Sequence, residues 1–304
     1  MVYRRLTVAA GRAWIALILA VFFNLHSGSP YAAPITFNTA LPVSQGEFIF
    51  RELLTLGKAS DDPSDLGRKM TVVTANSVLV YGVTPDLAVF GVLPLTYREL
   101  KTPTDRRDTG GIGDARLFAR YTVYRKDGVG RTFRVAPFVG LKLPTGENSK
   151  SDASGRLPAP LQAGTGSWDV FGGLVVTYAS VDWNLDMQAS YRVNTAADGL
   201  EVGDVFRGDA SLQYRLLPGK VTGATRGFLY GVLEANLVHQ NEARMGGVLD
   251  PNSGGTTLYL VPGLQYATRR WIAEVALQFP TIQDLNGSAL ERDFTFMAGL
   301  RVNF

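Results

Sequence analysis

The last fourteen residues of the sequence, 291–304 (ERDFTFMAGLRVNF), alternate strictly between apolar and polar positions. The apolar file consists of Phe294, Phe296, Ala298, Leu300, Val302 and Phe304. A period of two predicts a β-strand with one apolar and one polar face. This pattern is expected of the last strand of an outer-membrane β-barrel, where the apolar face meets lipid and the strand closes on the first one. An edge strand of a soluble sandwich is the alternative.

The first 33 residues are typical of a secretory signal peptide. Arg4, Arg5 and Arg12 form a positive region, and an apolar run of eleven residues, 13–23, follows. Because this run is too short to span a bilayer as a helix, we predict export through a Sec-type pathway and removal of residues 1–33. An uncleaved membrane anchor is the alternative. Residues 34–45 would then form a short periplasmic or luminal segment, and residues 46–304 the barrel.

Composition excludes several chemistries. The sequence has no cysteine, which rules out disulfides and thiolate metal sites. Its net charge of +3 comes from the leader, since residues 34–304 carry 27 basic and 27 acidic residues. A balanced charge does not support a nucleic-acid partner.

Twelve runs of residues have strand character, and the connections between them alternate in length. The runs are 46–56, 69–83, 87–98, 112–126, 131–143, 167–179, 181–193, 204–217, 226–240, 256–268, 270–280 and 291–304. Long polar connections are predicted at 57–68, 99–111, 144–166, 194–203, 241–255 and 281–290. The others are short turns, such as Thr84-Pro85-Asp86. This alternation predicts an all-β, transmembrane, antiparallel up-and-down barrel of about twelve strands.

The polar files of these strands carry charges of both signs, which we expect to face the lumen. The candidate lumen and constriction residues are Asp114, Arg116, Arg120, Arg134, Asp186, Arg192, Arg207, Asp209, Arg215, Glu234, Glu274 and Arg301. They could interlock as cross-strand struts or line a water path that selects solutes. Twelve strands lie between the filled eight-stranded and the open sixteen-stranded barrels, which favours a narrow channel. The 144–166 loop is the best candidate to fold inward, and an external, solvated loop is the alternative.

No catalytic or cofactor motif emerges. A twelve-stranded outer-membrane phospholipase family places serine two residues after its catalytic histidine, whereas Asn241 follows His239 at that spacing. The glycine-rich segment 110–114 precedes a strand and lacks a following Lys-Ser/Thr, which excludes a phosphate loop. No cluster of His, Asp and Glu has metal-ligand spacing. The sequence therefore predicts a protein that is not an enzyme and has no cofactor or metal.

Several motifs resemble those of a known family. These are ITFNTALPVSQGEFIFRE (35–52), YGVTPDLAVFGVLPLTYRE (81–99), GIGDARLFARY (111–121), GLKLPTGE (140–147) and LQAGTGSWDVFGGLVVTYAS (161–180). In this order they resemble the outer-membrane transporter family associated with the meta-cleavage pathway of phenol degradation. The resemblance covers most of residues 34–304. It implies an outer-membrane barrel that passes small, often aromatic, compounds, and it brings no catalytic signature.

The sequence thus predicts a passive channel of the bacterial outer membrane for small solutes, including aromatic or weakly hydrophobic compounds. A non-transporting structural, adhesin or receptor barrel that acts through its long loops is the alternative. Expected partners are membrane lipid, lipopolysaccharide, small-molecule solutes and the barrel-assembly machinery. Phe294, Phe296 and Phe304 are the candidate assembly signal, because a terminal aromatic strand resembles the one that this machinery reads. The oligomeric state is left open.

Overall fold

The protein folds as one closed, antiparallel β-barrel of twelve strands, described by a computed structural model over residues 32–223 and 225–304. The strands are β1 (Phe48–Asp61), β2 (Lys69–Gly82), β3 (Leu87–Lys101), β4 (Arg106–Gly128, in three segments), β5 (Arg131–Lys142), β6 (Asp169–Ser180), β7 (Trp183–Val193), β8 (Val205–Leu217), β9 (Gly227–Gln240), β10 (Gly255–Thr268), β11 (Trp271–Leu285) and β12 (Glu291–Asn303). Each strand pairs with the next, and β12 pairs with β1, where Arg51 lies opposite Arg301. Closure therefore removes the two free edges that an open sheet would have. No helix in the described part of the chain is long and apolar enough to cross a membrane.

Strand β4 is broken into the segments Arg106–Ile112, Arg116–Tyr121 and Tyr124–Gly128. The first pairs only with β3 and the last only with β5, while the middle segment pairs with both. The predicted loop at 99–111 is therefore wrong, because only residues 102–105 connect β3 to β4. Alternation of apolar residues could not predict the segment Arg106–Ile112, because it consists mostly of polar residues and glycines.

The two faces of the wall differ in polarity as the alternation predicts. Large apolar side chains such as Leu93, Met187 and Leu233 lie exposed on the outside. Charged and amide side chains such as Asp186, Gln213 and Glu234 are almost completely buried inside. An apolar exterior around a polar interior is the reverse of a soluble barrel and is the arrangement that a bilayer requires.

Aromatic residues lie on the outer surface close to the short turns. Tyr178 packs against Trp183, and Tyr266 against Trp271, with ring centroids 4.9 and 5.5 Å apart. Both pairs flank two-residue connections, 181–182 and 269–270. Amphipathic rings favour the membrane–water interface, so these pairs mark the periplasmic edge of the apolar band.

The long connections lie at the other end and are partly ordered among themselves. Connections 194–204 and 241–254 together form a four-stranded sheet of two-residue strands, in which Leu200 pairs with Met245. Connection 143–168 carries a small hairpin and a 3₁₀ turn, Ala159–Leu161. The extracellular end is thus a folded surface.

Residues 32–47 precede β1 and lie inside the barrel. Ala32 contacts the periplasmic ends of β9 and β10, Thr36 reaches Asn236 in the upper half of β9, and Val43 packs against Val80 and Phe90 near the periplasmic ends of β2 and β3. The chain therefore rises along one wall, crosses the lumen and descends along another. We call residues 32–47 the luminal segment. The signal-peptide prediction covers residues 1–33, of which residues 1–31 lie outside the described residues, whereas Ala32 and Ala33 are buried in the barrel.

Candidate functional site

Glu234 of β9 holds the rising arm of the luminal segment. Its carboxylate accepts hydrogen bonds from the backbone N–H groups of Ile35 (2.6 Å) and Thr36 (3.1 Å), and from the Thr36 hydroxyl. Ser211 Oγ donates a fourth bond at 3.0 Å. A buried carboxylate is tolerated only when its oxygens are satisfied, and here the segment supplies three of these four donors.

A second anchor is an ion-pair triad of Arg51, Glu274 and Arg301. The two guanidinium groups approach the Glu274 carboxylate at 2.6 and 2.9 Å. Each also donates to a backbone carbonyl of the segment, Arg51 to Ile35 O and Arg301 to Pro34 O, both at 2.5 Å. These arginines therefore tie strands β1, β11 and β12 to the segment.

The descending arm is held by Arg120 of β4 and by Thr177 of β6. Arg120 donates to the carbonyls of Thr39 and Leu41, the latter at 2.6 Å. Thr177 Oγ1 accepts the Ala40 N–H at 2.7 Å and donates to the buried carboxylate of Asp186. Most of the interior charges near the segment thus act as struts.

A cavity of about 770 Å³ remains beside the segment. It extends from Ser44 and Asn303 at the periplasmic ends of the strands to Arg192, Val205 and Arg207 near their extracellular ends. Six arginines and one acid, Glu47, line it. The cavity is therefore a polar space with an excess of positive charge, running along the wall between β1 and β8.

Aromatic side chains form part of the cavity wall. Phe90, Phe118, Gly140, Phe171 and Arg192 are successive cross-strand neighbours on β3 to β7. The Phe90 and Phe118 rings stack with centroids 4.3 Å apart, and Phe118 meets Phe171 edge-on at 5.8 Å. Gly140 makes room for them, since a Cβ there would come within 2.6 Å of the Phe171 ring and closer still to Phe118.

The next inward row, toward the periplasm, again places a glycine beside an aromatic residue and ends on an arginine. Arg120, Phe138, Gly173, Ser190 and Arg207 follow one another on β4 to β8. A Cβ at Gly173 would lie 2.7 Å from the Phe138 ring. In both rows, aromatic residues and arginines lie on the same stretch of the cavity wall.

Arg116, Arg192 and Arg207 form a cationic group at the extracellular end of the cavity. Arg116 interacts electrostatically with both of the others. Among the described residues, Arg116 and Arg192 have no hydrogen-bond or ion-pair partner, and Nε of Arg192 is buried and unsatisfied. Arg207 contacts Asp209 at 2.9 Å. Asp169 and Asp204 attract Arg192 electrostatically, but Asp169 is ion-paired with Lys142, and Asp204 accepts hydrogen bonds from Tyr191 and Asn194.

The 143–168 connection folds over part of the extracellular mouth. Asp114 accepts hydrogen bonds from Gly146 N at 3.0 Å and from Thr165 N at 2.9 Å. Arg98 of β3 donates to Pro160 O at 3.0 Å, and Leu161 is completely buried. This loop contacts the inner wall of β3 and β4, so part of it is packed inside the mouth.

The structure places all of the candidate lumen residues inside the barrel wall, in four settings. Arg116, Arg120, Arg192, Arg207 and Arg301 line the cavity. Asp186, Asp209, Glu234 and Glu274 are buried in the polar network around the luminal segment. Asp114 holds the 143–168 connection, whereas Arg134 and Arg215 approach Asp127 and Asp182 near the periplasmic turns.

The sequence reading missed the apolar part of the cavity wall. Phe90, Phe138 and Phe171 face inward beside the charged residues. Strands β3 and β6 are apolar on both faces near these positions, so alternation gives no signal. The glycines at 140 and 173 were the available clue, because an interior glycine in a strand indicates a close approach of another group.

The parts of the outer surface and loops that the structure describes show no assembled catalytic group. His239 Nδ1 lies 2.8 Å from Thr256 Oγ1 on the neighbouring strand, near the extracellular edge. No carboxylate orients this imidazole among the described residues. Within residues 32–223 and 225–304, no group of three His, Asp or Glu side chains could hold a metal ion.

The closed twelve-stranded wall, the apolar exterior and the charged lumen define an outer-membrane β-barrel protein. The crystal structure of an outer membrane channel from Pseudomonas putida F1 has the same fold, with a TM-score of 0.71 and 16 % identity over 90 % of this chain and 100 % of that one. The β-domain of the Bordetella autotransporter BrkA is less similar, with a TM-score of 0.48 and 14 % identity over 86 % and 100 % of the chains. No curated protein sequence matches the chain.

A sequence profile of the family described as "Putative MetA-pathway of phenol degradation" matches residues 60–279. The match spans most of the barrel, from the end of β1 to β11. The chain belongs to this family. The resemblance found in the sequence motifs is thereby confirmed, as are the barrel fold and the outer-membrane location.

Proposed function

We propose that the protein is a passive channel that lets small solutes cross the bacterial outer membrane. The observation that carries this proposal is the cavity of about 770 Å³ that the luminal segment leaves beside strands β1 to β8. The cavity reaches from the periplasmic strand ends to the cationic group near the extracellular ends. Its width is limited by the segment on one side and by the inward-facing aromatic residues on the other.

The charge of the pathway argues for selective passage. The arginines that line the cavity outnumber the acids, and a charged ring in a narrow pore favours ions of the opposite sign. Solutes with a negative charge should therefore pass more readily than cations of the same size. The candidate lumen residues that contribute directly are Arg116, Arg192 and Arg207.

The direct test is a planar-bilayer recording of the refolded full chain under a salt gradient, together with a liposome-swelling panel of sugars, amino acids and phenolic acids. We expect stable single-channel steps, a reversal potential on the anion-selective side and swelling in the smaller solutes. Replacing Arg116 and Arg207 with Gln should shift the reversal potential toward zero. A refolded barrel that neither conducts nor admits a solute would contradict the proposal.

In this proposal the protein is not an enzyme, and its partners are lipid, lipopolysaccharide and the barrel-assembly machinery. His239 is exposed, and among the described residues its ring has a hydrogen bond to Thr256 and no carboxylate partner, so a calcium-dependent lipase assay should detect no activity that His239→Ala removes. The apolar exterior is suited to lipid, and the polar loops are suited to lipopolysaccharide. Phe294 and Phe296 lie on β12 and Phe304 directly follows it, where the barrel-assembly machinery would read them.

A second candidate is a receptor or adhesin that does not transport. The ordered sheet formed by connections 194–204 and 241–254, combined with a lumen that is largely filled by the segment, supports it. In that case, deletion of residues 196–201 would abolish attachment to a surface or ligand and leave solute permeability at the level of protein-free liposomes. Conductance by the intact chain would decide for the channel.

A further inference from the structure

We propose that the lumen contains a binding site for aromatic carboxylates, formed by Phe118 and Phe171 together with Arg116 and Arg192. This inference rests on the proposed channel function for its physiological role and assigns the class of solute that the pathway prefers. The site lies at the extracellular end of the cavity. It would hold a planar ring on the aromatic side and a carboxylate on the cationic side.

The strand register brings the two halves of the site together. Phe171 and Arg192 are direct cross-strand partners, so their backbones lie about 5 Å apart. Phe118 meets the Phe171 ring edge-on at 5.8 Å. Arg116 is two residues from Phe118 on the same face of β4. A ring bound against Phe118 and Phe171 therefore has guanidinium groups on adjacent positions of the wall.

The arginines are available for a ligand. Elsewhere in the lumen the arginines are occupied, since Arg51 and Arg301 share Glu274 and Arg120 donates to the luminal segment. Among the described residues, no side chain pairs with Arg116 or Arg192. The acids near the group have other partners. Asp209 contacts Arg207 and accepts a hydrogen bond from Asn236 at 3.0 Å. Asp169 attracts Arg192 electrostatically but forms its ion pair with Lys142, at 2.5 Å.

The aromatic side chains are accessible as well. Phe118 and Phe171 are half-buried, whereas Phe90 and Phe138, which also line the cavity, are buried. The Phe118 ring is held in place by its stack on Phe90 of the neighbouring strand at 4.3 Å. A preformed aromatic surface loses little conformational entropy on binding. Guanidinium forks match the geometry of a carboxylate, which distinguishes this ligand class from neutral aromatics.

Binding of four probes to the refolded full chain, measured by calorimetry in detergent and low chloride, tests the site. Benzoate has an aromatic ring and a carboxylate, whereas benzyl alcohol has only the aromatic ring. Cyclohexanecarboxylate combines a non-aromatic ring with the carboxylate, and acetate has only the carboxylate. Benzoate should bind about ten- to a hundredfold more tightly than benzyl alcohol, since a charge-assisted hydrogen bond is lost. It should bind about two- to tenfold more tightly than cyclohexanecarboxylate.

Two variants separate the contributions of the cationic and aromatic sides of the site, and a third is the matched control. Arg192→Gln should lower the affinity for benzoate about tenfold and leave the affinity for benzyl alcohol unchanged. Phe171→Leu should lower the affinity for both of these aromatic probes. Lys126→Gln removes a positive charge from an exposed position near a periplasmic turn and should change neither affinity. Heat-modifiable mobility on gels verifies that each variant is folded, and Arg116→Gln replaces Arg192→Gln if that chain does not fold.

The outcomes separate this inference from the channel proposal. Equal affinity for benzoate, cyclohexanecarboxylate and acetate would overturn the site, even in a barrel that conducts. Benzoate affinity that does not change in Arg192→Gln and Arg116→Gln would overturn it too. The predicted pattern of affinities in a barrel that fails to conduct would support the site and contradict the channel.

Discussion

Glu234 and Ile35 are 199 positions apart in the chain, and the Glu234 carboxylate accepts the Ile35 backbone N–H at 2.6 Å in the interior of the barrel. The contact joins the middle of β9 to the luminal segment. It gives a buried carboxylate a backbone donor in place of a cation, so the wall and the segment each satisfy a polar group of the other.

Removing this carboxylate should loosen the luminal segment. In Glu234→Ala the segment loses the acceptor for two backbone N–H groups and one hydroxyl, and bonds to a charged group contribute about 1.5–3 kcal/mol each. Because the native chain has no cysteine, Asn38→Cys provides a unique label. Its reaction with a soluble maleimide should accelerate in the Glu234→Ala background and not in Glu201→Ala. Equal labelling rates in both would contradict the anchoring role.

Filling the space above Gly140 should destabilise the barrel. A Cβ at this position would meet Phe118, the Leu117 carbonyl oxygen at 2.5 Å and the Phe171 ring at 2.6 Å. Overpacking of this kind typically costs about 1–3 kcal/mol. Gly140→Ala should lower the free energy of unfolding in urea by that amount. Gly219→Ala is the control, since no atom lies within 4 Å of its added methyl group, and an unchanged value for both would refute the packing argument.

A charge at the last residue should impair assembly of the barrel. Phe304 exchanges two backbone hydrogen bonds with Phe48, at 2.7 and 2.9 Å, and their rings stack with centroids 5.8 Å apart. Phe304→Glu should therefore reduce the amount of folded, heat-modifiable protein in the outer membrane. Asn303→Glu places the same charge one position earlier, on the luminal face, and should assemble more fully. Normal amounts of Phe304→Glu protein would argue against the terminal strand as an assembly signal.

The connection between β1 and β2 should resist acid. Hydrogen bonds from the Arg68 guanidinium, at 2.6 and 3.0 Å, hold the pKa of Asp62 well below its ordinary value. A carboxylate with a lowered pKa in the folded state stabilises the loop above its unfolded pKa of about 3.9 and loses this contribution as the pH falls through the folded value. Hydrogen exchange at Ser64 and Arg68 should thus stay slow at pH 4.

The Asp62→Asn variant provides the comparison for this loop. Without the negative charge, the Arg68 side chain loses its ion pair. Protection of the Ser64 and Arg68 amides from hydrogen exchange should therefore be weak at every pH from about 3 to about 7, on both sides of the ordinary carboxyl pKa of about 4. Protection that is lost near pH 5 in the native chain would show that the pKa of Asp62 is not lowered.

The sequence predicts the membrane-embedded part of each strand well because lipid imposes the pattern. Every lipid-facing position must be apolar, so alternation in segments such as 183–193 reveals both the strand and its faces. Beyond the bilayer this requirement ends. The polar segment Arg106–Ile112 continues the sheet into solvent, and β11 extends to Leu285, past the predicted end at residue 280.

The contents of the lumen could not be predicted in the same way. The luminal segment contacts residues more than 190 positions away in the sequence. It is short, and its apolar and polar residues do not alternate in a way that predicts these contacts. Alternation likewise showed that Arg116 and Arg192 face inward. It did not show that these two arginines lack an ion-pair partner among the described residues, whereas Arg51 and Arg301 share Glu274. Pairing across a closed barrel depends on register, which a single sequence does not define.

Single-channel recording of the refolded full chain in planar bilayers distinguishes a channel from a closed barrel. If the cavity beside the luminal segment is a pathway, the protein should produce stable, anion-selective steps, and Glu234→Ala should increase their amplitude or frequency by loosening residues 32–47. A bilayer that stays closed with both the native chain and Glu234→Ala, although both are folded and inserted, would contradict the claim that this barrel is a channel.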